Sequence, residues 1–418
     1  MINCYKINDE KFKGVYISLN FMTKIEDNNL SKNAVLSSML SKSNKKYKNE
    51  EEIGKYLASL YGANFNVNIE KYGDIENIEF KMLSINESVI DAKERIILKC
   101  LEFLNDMIFD SNINDSDFDE ELFAREKEFI IEKINARKDE KLKYGVNRTE
   151  ELMCQNKGFG KYIYGESEEV KSLTKQDIID AYNKLINNSV INIVLSGNLK
   201  DYDDIDIKIK DIFKDNYNLG KDIESLNYNE ISLLDENKEI IENCDSTQSV
   251  IGAGFIIENT TESDNAKINM YNAILGSTPS SKLFQIFREK ESLAYTTRSR
   301  FYRFKNMIVI YAGIEGKNYD KSKEVILRIM KSIENGDITD EEFNAAKQSL
   351  IADLDEWVDS KAMQAKFLLT DLVVYKKFNR TVEDIKNEIN KVTKEDVVEI
   401  AKKVKLKLWY FLGGETHE

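Results

Sequence analysis

The sequence predicts an α+β protein of two tandem homologous domains, in which each domain is a sheet covered on one face by helices. Three observations lead to this prediction. The chain has 418 residues, too many for one ordinary hydrophobic core. Segments of alternating apolar residues are interspersed with long amphipathic helices, which is typical of layered α+β domains. Short sequence patterns of the first half also recur in the second half at a nearly constant offset.

The periodicity of apolar residues locates the predicted elements. Alternation predicts strands at 14–22, 65–69, 78–82, 189–196, 250–256, 306–313 and 406–412. Helical spacing predicts helices at 31–43, 51–60, 92–108, 119–139, 175–186, 266–275, 321–333, 340–375 and 393–404. The charged, Asn-rich stretch 201–237 has little periodicity. We therefore predict an N-terminal domain at 1–215, a linker at 216–240 and a C-terminal domain at 241–418.

The internal repeat depends on two pairs of sequence anchors. Thr174-Lys-Gln-Asp-Ile-Ile179 is followed 219 residues later by Thr393-Lys-Glu-Asp-Val-Val398. Asp119-Glu-Glu-Leu122 is followed 221 residues later by Asp340-Glu-Glu-Phe343. Two anchors with nearly one offset favour duplication of a unit of roughly 200 residues. The alternative is chance, because Thr or Asp shortly before an acidic residue is a common helix-capping pattern.

Composition excludes several function classes. A net charge of −14 argues against nucleic acid or an anionic membrane as a main partner, and it is compatible with basic peptides as ligands. No run of 18 apolar residues indicates a membrane span, and the first residues do not resemble a secretory signal. The four scattered cysteines form no Cys-x-x-Cys pair. These features predict a cytoplasmic protein with reduced thiols.

Histidine limits the chemistry further, because His417 is the single histidine of the chain. A His-based zinc site, a Ser-His-Asp triad and a Cys-His pair all need a well-placed imidazole, which a chain end does not reliably supply. Acidic residues are numerous, but no Asp-x-Asp-x-Asp-Gly loop for Ca²⁺ is present. The Gly252-Ala-Gly254 pattern lacks the third glycine and the following helix of a dinucleotide-binding loop.

The segment 276–300 contains the candidate binding residues Arg288 and Tyr295. Seven residues along a helix return to one face, so the two side chains can converge there. If the helix ends near Ser292, Tyr295 opens a strand and can still turn back toward Arg288. A guanidinium and a phenol both donate hydrogen bonds to a carbonyl oxygen or an oxyanion. The alternative is a surface arginine paired with a neighbouring glutamate, beside a half-buried tyrosine.

A longer string of residues carries a family resemblance. It reads Ser281-Lys-Leu-Phe284, Arg288-Glu-Lys290 and Leu293-Ala-Tyr295, in that order. This string resembles the C-terminal-domain signature of the insulinase/pitrilysin family of zinc metallopeptidases, which includes the mitochondrial processing peptidase. The resemblance implies two homologous domains with the LuxS/insulinase-like metallohydrolase fold, each an antiparallel sheet flanked by helices, over essentially the whole chain.

The same resemblance implies that the metal site is degenerate. The family carries His-x-x-Glu-His on a helix and a distal glutamate ligand about 75 residues later. Aligned on Met39, Ala34 and Ser38 stand at the two histidines and Ser37 at the general base. Lys133 stands at the distal ligand, next to Glu132. The resemblance therefore implies no metal bound by this chain, with zinc expected on a partner subunit.

The function implied is that of a non-catalytic subunit of a two-chain metallopeptidase. A homologous subunit with the zinc motif would be the heterodimer partner, and Arg288 and Tyr295 would bind an extended peptide substrate opposite its zinc. One alternative is a binding or assembly factor without peptidase activity, associated with the 5-aminopentanol modification of elongation factor P. Another is a structural subunit like those of respiratory complexes. A homodimer of the isolated chain is also open.

Overall fold

The computed structural model describes residues 1–26, 29–90, 94–244, 248–378 and 380–414, so His417 lies outside the described residues. Ten described strands form two five-stranded sheets. The strands are β1 (Asn3–Asn8), β2 (Gly14–Lys24), β3 (Asn64–Tyr72), β4 (Ile75–Ile85), β5 (Val190–Gly197), β6 (Lys238–Cys244), β7 (Ser249–Ile257), β8 (Ala294–Tyr302), β9 (Met307–Ile314) and β10 (Val404–Gly414).

The described helices pack against the faces of the two sheets. The α-helices are α1 (Asn29–Leu40), α2 (Glu50–Ser59), α3 (Ile96–Phe109), α4 (Glu120–Ala136), α5 (Lys141–Met153), α6 (Ser167–Ser172), α7 (Lys175–Asn188), α8 (Ile205–Ile212), α9 (Asn265–Asn272), α10 (Tyr319–Glu334), α11 (Asp340–Val358), α12 (Lys361–Tyr375), α13 (Val382–Lys391) and α14 (Lys394–Lys403). Two π-helical segments lie at Ala273–Ser277 and Leu283–Lys290. No described helix has the length and apolar character needed to cross a membrane.

The two sheets have the same strand order, which confirms the predicted α+β fold with two repeats. The first sheet runs β1-β5-β2-β4-β3 and the second runs β6-β10-β7-β9-β8. The sheets are mixed, whereas antiparallel sheets were expected. In each repeat the first strand pairs parallel with the last, β1 with β5 and β6 with β10, and the remaining pairs are antiparallel. Parallel pairing requires a long connection, and here the rest of the repeat supplies it.

Matched side-chain contacts show that the sequence anchors mark equivalent places. The Lys127 ammonium donates to the carbonyls of Lys171 and Leu173, at the end of α6, at 2.9 and 2.8 Å. Lys347 donates in the same way to Asn390 and Val392, at the end of α13, at 3.0 and 3.1 Å. Such lysines satisfy carbonyls that a helix end leaves without an intrahelical donor.

The helices that follow these carbonyls also begin alike. Thr174 and Asp177 form a capping box at the start of α7, and Thr393 and Asp396 form one at the start of α14. A lysine pairs with each capping aspartate at 2.8 Å, Lys32 in the first repeat and Lys267 in the second. Chance recurrence of capping patterns does not explain matched partners, so the anchors reflect a duplicated unit.

The chain packs as two units that are not contiguous in sequence. The first unit comprises the described residues of 1–135, 162–230 and 359–378, and the second those of 136–161, 231–358 and 380–414. Each unit therefore includes a helix from the other half: α12 packs on β5 and β2, and α5 packs on β7, β9 and β10. The ranges 1–215, 216–240 and 241–418 stay a prediction for the repeat boundaries.

In the first unit, the core lies between the sheet and helices α1, α3 and α7. Phe21 of β2 and Phe80 of β4 are fully buried, and their rings meet edge to face at 5.8 Å. On the exchanged helix α12, Gln364 accepts a hydrogen bond of 2.7 Å from the Ser196 hydroxyl of β5. Residues of β2 and β5 are buried along almost their whole length, because helices cover both faces.

In the second unit, helix α5 approaches strand β7 closely at two glycines. A Cβ at Gly252 would overlap the Thr149 hydroxyl oxygen, and one at Gly254 would overlap the Met153 side chain. The Gly-Ala-Gly pattern therefore has a packing role, since only glycine leaves room for the helix. The opposite face of the sheet packs against α9, α10 and α14 around residues such as Phe255 and Ile310.

Candidate functional site

The segment that contains Arg288 is anchored by the residues just before it. Lys282 is almost fully buried and pairs with Glu342 of α11 at 2.8 Å. Leu283 and Phe287 are fully buried in the core of the second unit. Most of the Ser281-Lys-Leu-Phe284 string therefore has a structural role. It fixes the start of the π-helix that presents Arg288.

Arg288 lies on the exposed side of this π-helix, with about two-fifths of its side chain accessible (41%). Its Nε is 3.5 Å from a carboxylate oxygen of Glu289, and its guanidinium lies 4.6 Å from the ring centroid of Phe284. An exposed pair of this kind contributes little to stability. The guanidinium is thus held by weak contacts and remains accessible to a ligand.

The helix ends before it can bring Arg288 and Tyr295 onto one face. The π-helix stops at Lys290, Ser292 adopts a left-handed φ of 52°, and β8 begins at Ala294. The backbone therefore follows the second predicted alternative, in which the helix ends near Ser292 and Tyr295 lies at the start of a strand. No hydrogen bond links the two side chains in the described structure, so their joint action on a ligand stays a prediction.

Tyr295 occupies an irregularity in edge strand β8. Ala294 is opposite Ile314 and Thr296 is opposite Gly313, so the register shifts at the tyrosine. Bulges of this type redirect a side chain. About half of Tyr295 is exposed (49%), and its hydroxyl donates to Gln248 at 3.4 Å. Partial burial raises the pKa of Tyr295 further above neutrality, and the protonated phenol can donate a hydrogen bond.

Strand β8 can accept a further strand. It lies at the end of the second sheet and pairs only with β9 among the described strands. An edge strand presents unpaired backbone N–H and C=O groups, which are a template for an extended peptide. The bulged tyrosine lies at the start of this edge, beside the π-helix of Arg288.

Helix α1 of the first unit contains the positions aligned with the zinc motif. Ala34 is buried, and the Ser37 hydroxyl donates to the Ala34 carbonyl at 3.1 Å. The Ser38 hydroxyl donates to Glu126 of α4 at 2.6 Å. Both hydroxyls are therefore engaged inside the unit, and no described histidine can act as a base for them.

Lys133, at the predicted distal position, lies on α4 with Glu126. Its ammonium is 4.4 Å from the Phe129 ring centroid and 5.2 Å from that of Tyr164. Partial burial, with the like charge of Lys42 as a smaller cause, lowers the pKa of Lys133. Glu132 points to solvent. Sequence reasoning missed Glu126, although its spacing of seven residues from Lys133 places both on one helical face.

These residues do not fit a zinc ion. Zinc in proteins takes thiolate, imidazole or carboxylate ligands, and an ammonium repels a dication. The aligned positions offer a methyl group, a hydroxyl already bonded to Glu126, and the Lys133 ammonium. Throughout the described ranges, no group of three or more His, Cys, Asp and Glu side chains is arranged to hold a metal ion.

Comparisons with known proteins agree with this architecture. Residues 172–350 match the family described as "Peptidase M16 inactive domain". The chain is 26% identical over 414 residues to the "Probable inactive metalloprotease YmfF" of Bacillus subtilis (strain 168), covering 99% of this chain and 96% of that protein. It is 24% identical over 312 residues to the "Uncharacterized zinc protease YmxG" of the same organism, covering 73% and 72%. A solved structure of a conserved protein from Enterococcus faecalis V583 superposes with a TM-score of 0.90 at 24% identity, covering 100% of this chain and 97% of that chain.

Residues 281–295, which carry the predicted resemblance, lie inside the range that matches the family, and the first relative covers both repeats. The match covers the end of the first repeat and much of the second, and the fold likeness extends over the whole chain. The resemblance predicted from the sequence is confirmed: residues 172–350 match the inactive domain of peptidase M16, and the likeness to a probable inactive metalloprotease extends over nearly the whole chain.

Proposed function

We propose that this chain is a non-catalytic, peptide-binding subunit that works with a zinc-bearing member of its own family. The main support is the contrast between the two units. The positions aligned with the zinc motif hold Ala34, Ser38 and Lys133, whereas edge strand β8 exposes Tyr295 beside the π-helix of Arg288. A chain of this kind can bind substrate without hydrolysing it.

In the proposed complex, an extended peptide adds to the edge of a sheet and its backbone pairs with main-chain groups. The Tyr295 hydroxyl and the Arg288 guanidinium donate to a peptide carbonyl and to the oxyanion that develops opposite the zinc of the partner. The zinc supplies a polarised water when bound to that partner. This chain contributes donors and peptide orientation.

The test is cleavage of fluorogenic peptides by this chain, by a zinc-motif relative encoded in the same genome, and by the two together, with and without chelator. We expect chelator-sensitive cleavage that needs both chains. Tyr295→Phe should lower turnover by about 10²–10³, the usual cost of losing one oxyanion donor. Tyr61→Phe is the matched control, because Tyr61 is also exposed (62%) but lies in the first unit. Full activity of Tyr295→Phe, or cleavage by this chain alone, contradicts the proposal.

A second candidate is a binding or assembly factor without peptidase activity, associated with elongation factor P modification. The hydrogen bond between Ser38 and Glu126 supports it, because these side chains engage each other where the aligned site of a peptidase would hold a metal ion. The two candidates differ in one measurement. An assembly factor copurifies with its partner, yet the pair shows no chelator-sensitive peptide cleavage.

A further inference from the structure

One face of strand β8 carries exposed arginines in a protein that is acidic overall. Arg298 and Arg300 are both exposed, and no residue of β8 is acidic. The net charge of the chain is −14. A cationic strip on such a molecule is a local feature of this edge, because the average surface repels anions.

The register shows which face these arginines occupy. Arg298 is opposite Tyr311 and Arg300 is opposite Val309, while Ser299 between them is opposite Ile310. Ile310 belongs to the core that packs against α9, and the Ser299 hydroxyl donates to Asn272 of that helix. The arginines therefore lie on the opposite face of the sheet, which is the face on which α5 packs against β7, β9 and β10. Tyr295 shares that face, because its ring lies against Gly313, two residues from Tyr311.

The charged neighbours of the two arginines differ. Arg298 forms no ion pair within the described part of the chain. Arg300 lies 5.0 Å from the ring centroid of Tyr302 and within the electrostatic reach of Glu150. Glu150 in turn accepts a hydrogen bond from the Tyr302 hydroxyl. Arg303, just past the strand, is already paired with Glu262 at 3.0 Å. Of these three arginines, Arg298 is therefore the most available to form an ion pair with a ligand.

The corresponding edge of the first unit does not share this charge. Strand β3 holds the same terminal position in its sheet, but its sequence is NFNVNIEKY. It has asparagines near its start and one residue of each charge near its end. The basic face is therefore a property of β8 and not of the repeated fold. Charges also protect edge strands from unwanted pairing, which is the competing explanation for them.

We propose that β8 binds an extended peptide with acidic side chains at alternate positions, whose carboxylates meet Arg298 and Arg300. This inference rests on the proposed peptide-binding function and specifies its ligand. Residues two apart on a strand share a face and are separated by about 6.8 Å, so an acidic-x-acidic spacing matches the two guanidinium groups. Guanidinium forks bind carboxylates with two parallel hydrogen bonds. The expected ligand is thus an acidic segment, in contrast to the basic peptides compatible with the net charge.

The experiment measures binding of fluorescent nine-residue peptides to the full chain by anisotropy. Three peptides differ only in carrying Glu-x-Glu, Gln-x-Gln or Lys-x-Lys at the centre. We expect the Glu peptide to bind about three- to tenfold more tightly than the Gln peptide, the range for exposed charge pairs. Arg298→Gln should remove most of this preference and Arg300→Gln less of it. Arg125→Gln is the control, since Arg125 is exposed (64%) in the first unit.

The outcomes separate this inference from the proposed function. Equal affinity for the Glu and Gln peptides, unchanged by Arg298→Gln, overturns the acidic preference but leaves peptide binding intact. If Arg298→Gln self-associates in light scattering and the peptide affinities are equal, the role of the arginine is to prevent strand pairing at this edge. That result also overturns the inference. Binding of none of the three peptides overturns both proposals. Arg298-dependent binding of a labelled single-stranded DNA, without peptide preference, overturns the choice of ligand.

Discussion

The ring of Tyr295 lies against Gly313 on the neighbouring strand, and a Cβ at residue 313 would overlap the phenol. The absence of a side chain at Gly313 therefore determines where the hydroxyl of Tyr295 lies. Because half of Tyr295 is exposed, the ring can move away from an added methyl group at little cost to the fold.

Gly313→Ala should accordingly impair function more than stability. We expect a nearly unchanged melting temperature and a fall of about 10²-fold in the turnover of the assembled peptidase, because an ångström of misplacement has that effect on a positioned donor. Gly54→Ala, where a Cβ meets nothing within 4 Å, is the control. Normal turnover in Gly313→Ala would show that the position of the phenol is not used.

The close approach of α5 to β7 makes Gly252 sensitive to any side chain. Gly252→Ala places a methyl group on the Thr149 hydroxyl, which already donates to the Gly145 carbonyl at 2.8 Å. We expect a loss of about 1–3 kcal/mol in the free energy of unfolding, as for other overpacked sites. Gly54→Ala should instead stabilise helix α2 by up to about 1 kcal/mol. Urea unfolding of both variants measures the contrast, and equal midpoints contradict it.

Glu76 of β4 makes the stability of the first unit depend on pH. Its side chain is fully buried, and one carboxylate oxygen accepts from Asn33 at 2.6 Å while the other has no hydrogen-bond partner among the described residues. Burial raises the pKa of Glu76 from 4.5 to about 7, which the Asn33 hydrogen bond only partly opposes. A raised folded-state pKa means that its favourable contribution is present below pH 4.5 and is lost as the pH rises through 7.

Glu76→Gln should therefore stabilise the protein above neutrality. At pH 8 we expect a gain of up to about 3 kcal/mol over the native chain, because the variant has no charge to bury. The gain should shrink toward zero near pH 4.5. Urea midpoints between pH 4.5 and 8 measure it, with the exposed Glu356→Gln as control. A gain that does not vary with pH would show that Glu76 does not titrate in this range.

The side chains at the positions aligned with the zinc motif lead to an expectation about the metal content of the protein. The purified chain should contain below about 0.1 zinc ions per molecule, because a methyl, a bonded hydroxyl and an ammonium replace the usual ligands. Its melting temperature should not change after treatment with a chelator. Elemental analysis and calorimetry measure the two quantities. One zinc per chain, or a chelator-induced fall in melting temperature, means that residues other than Ala34, Ser38 and Lys133 form a site.

Local patterns were sufficient for most elements of this fold. The strand predicted at 250–256 is observed at Ser249–Ile257, because its apolar alternation is strong. The edge strands β1 and β6 were missed, since NCYKIN and KEIIENC are only partly buried and alternate weakly. The helix predicted at 340–375 is two helices, with Ser360 capping the start of α12. The sequence signal for this break was Ser360, a helix-capping residue inside the long periodic stretch.

The sequence by itself determined the two repeats, the α+β class and the family resemblance, because these depend on residue type and spacing along the chain, and that this chain binds no zinc stays a prediction. Tertiary structure decided the exchange of α5 and α12, the mixed character of the sheets, the bond from Ser38 to Glu126 and the face of the sheet that Arg298 shares with Tyr295. Each of these depends on which strand or helix, distant in the sequence, becomes a neighbour in space. The local periodicity of apolar residues does not specify that neighbour. The close approach at Gly252 is the clearest case: its meaning appears only when a helix about 100 residues earlier in the chain packs on it.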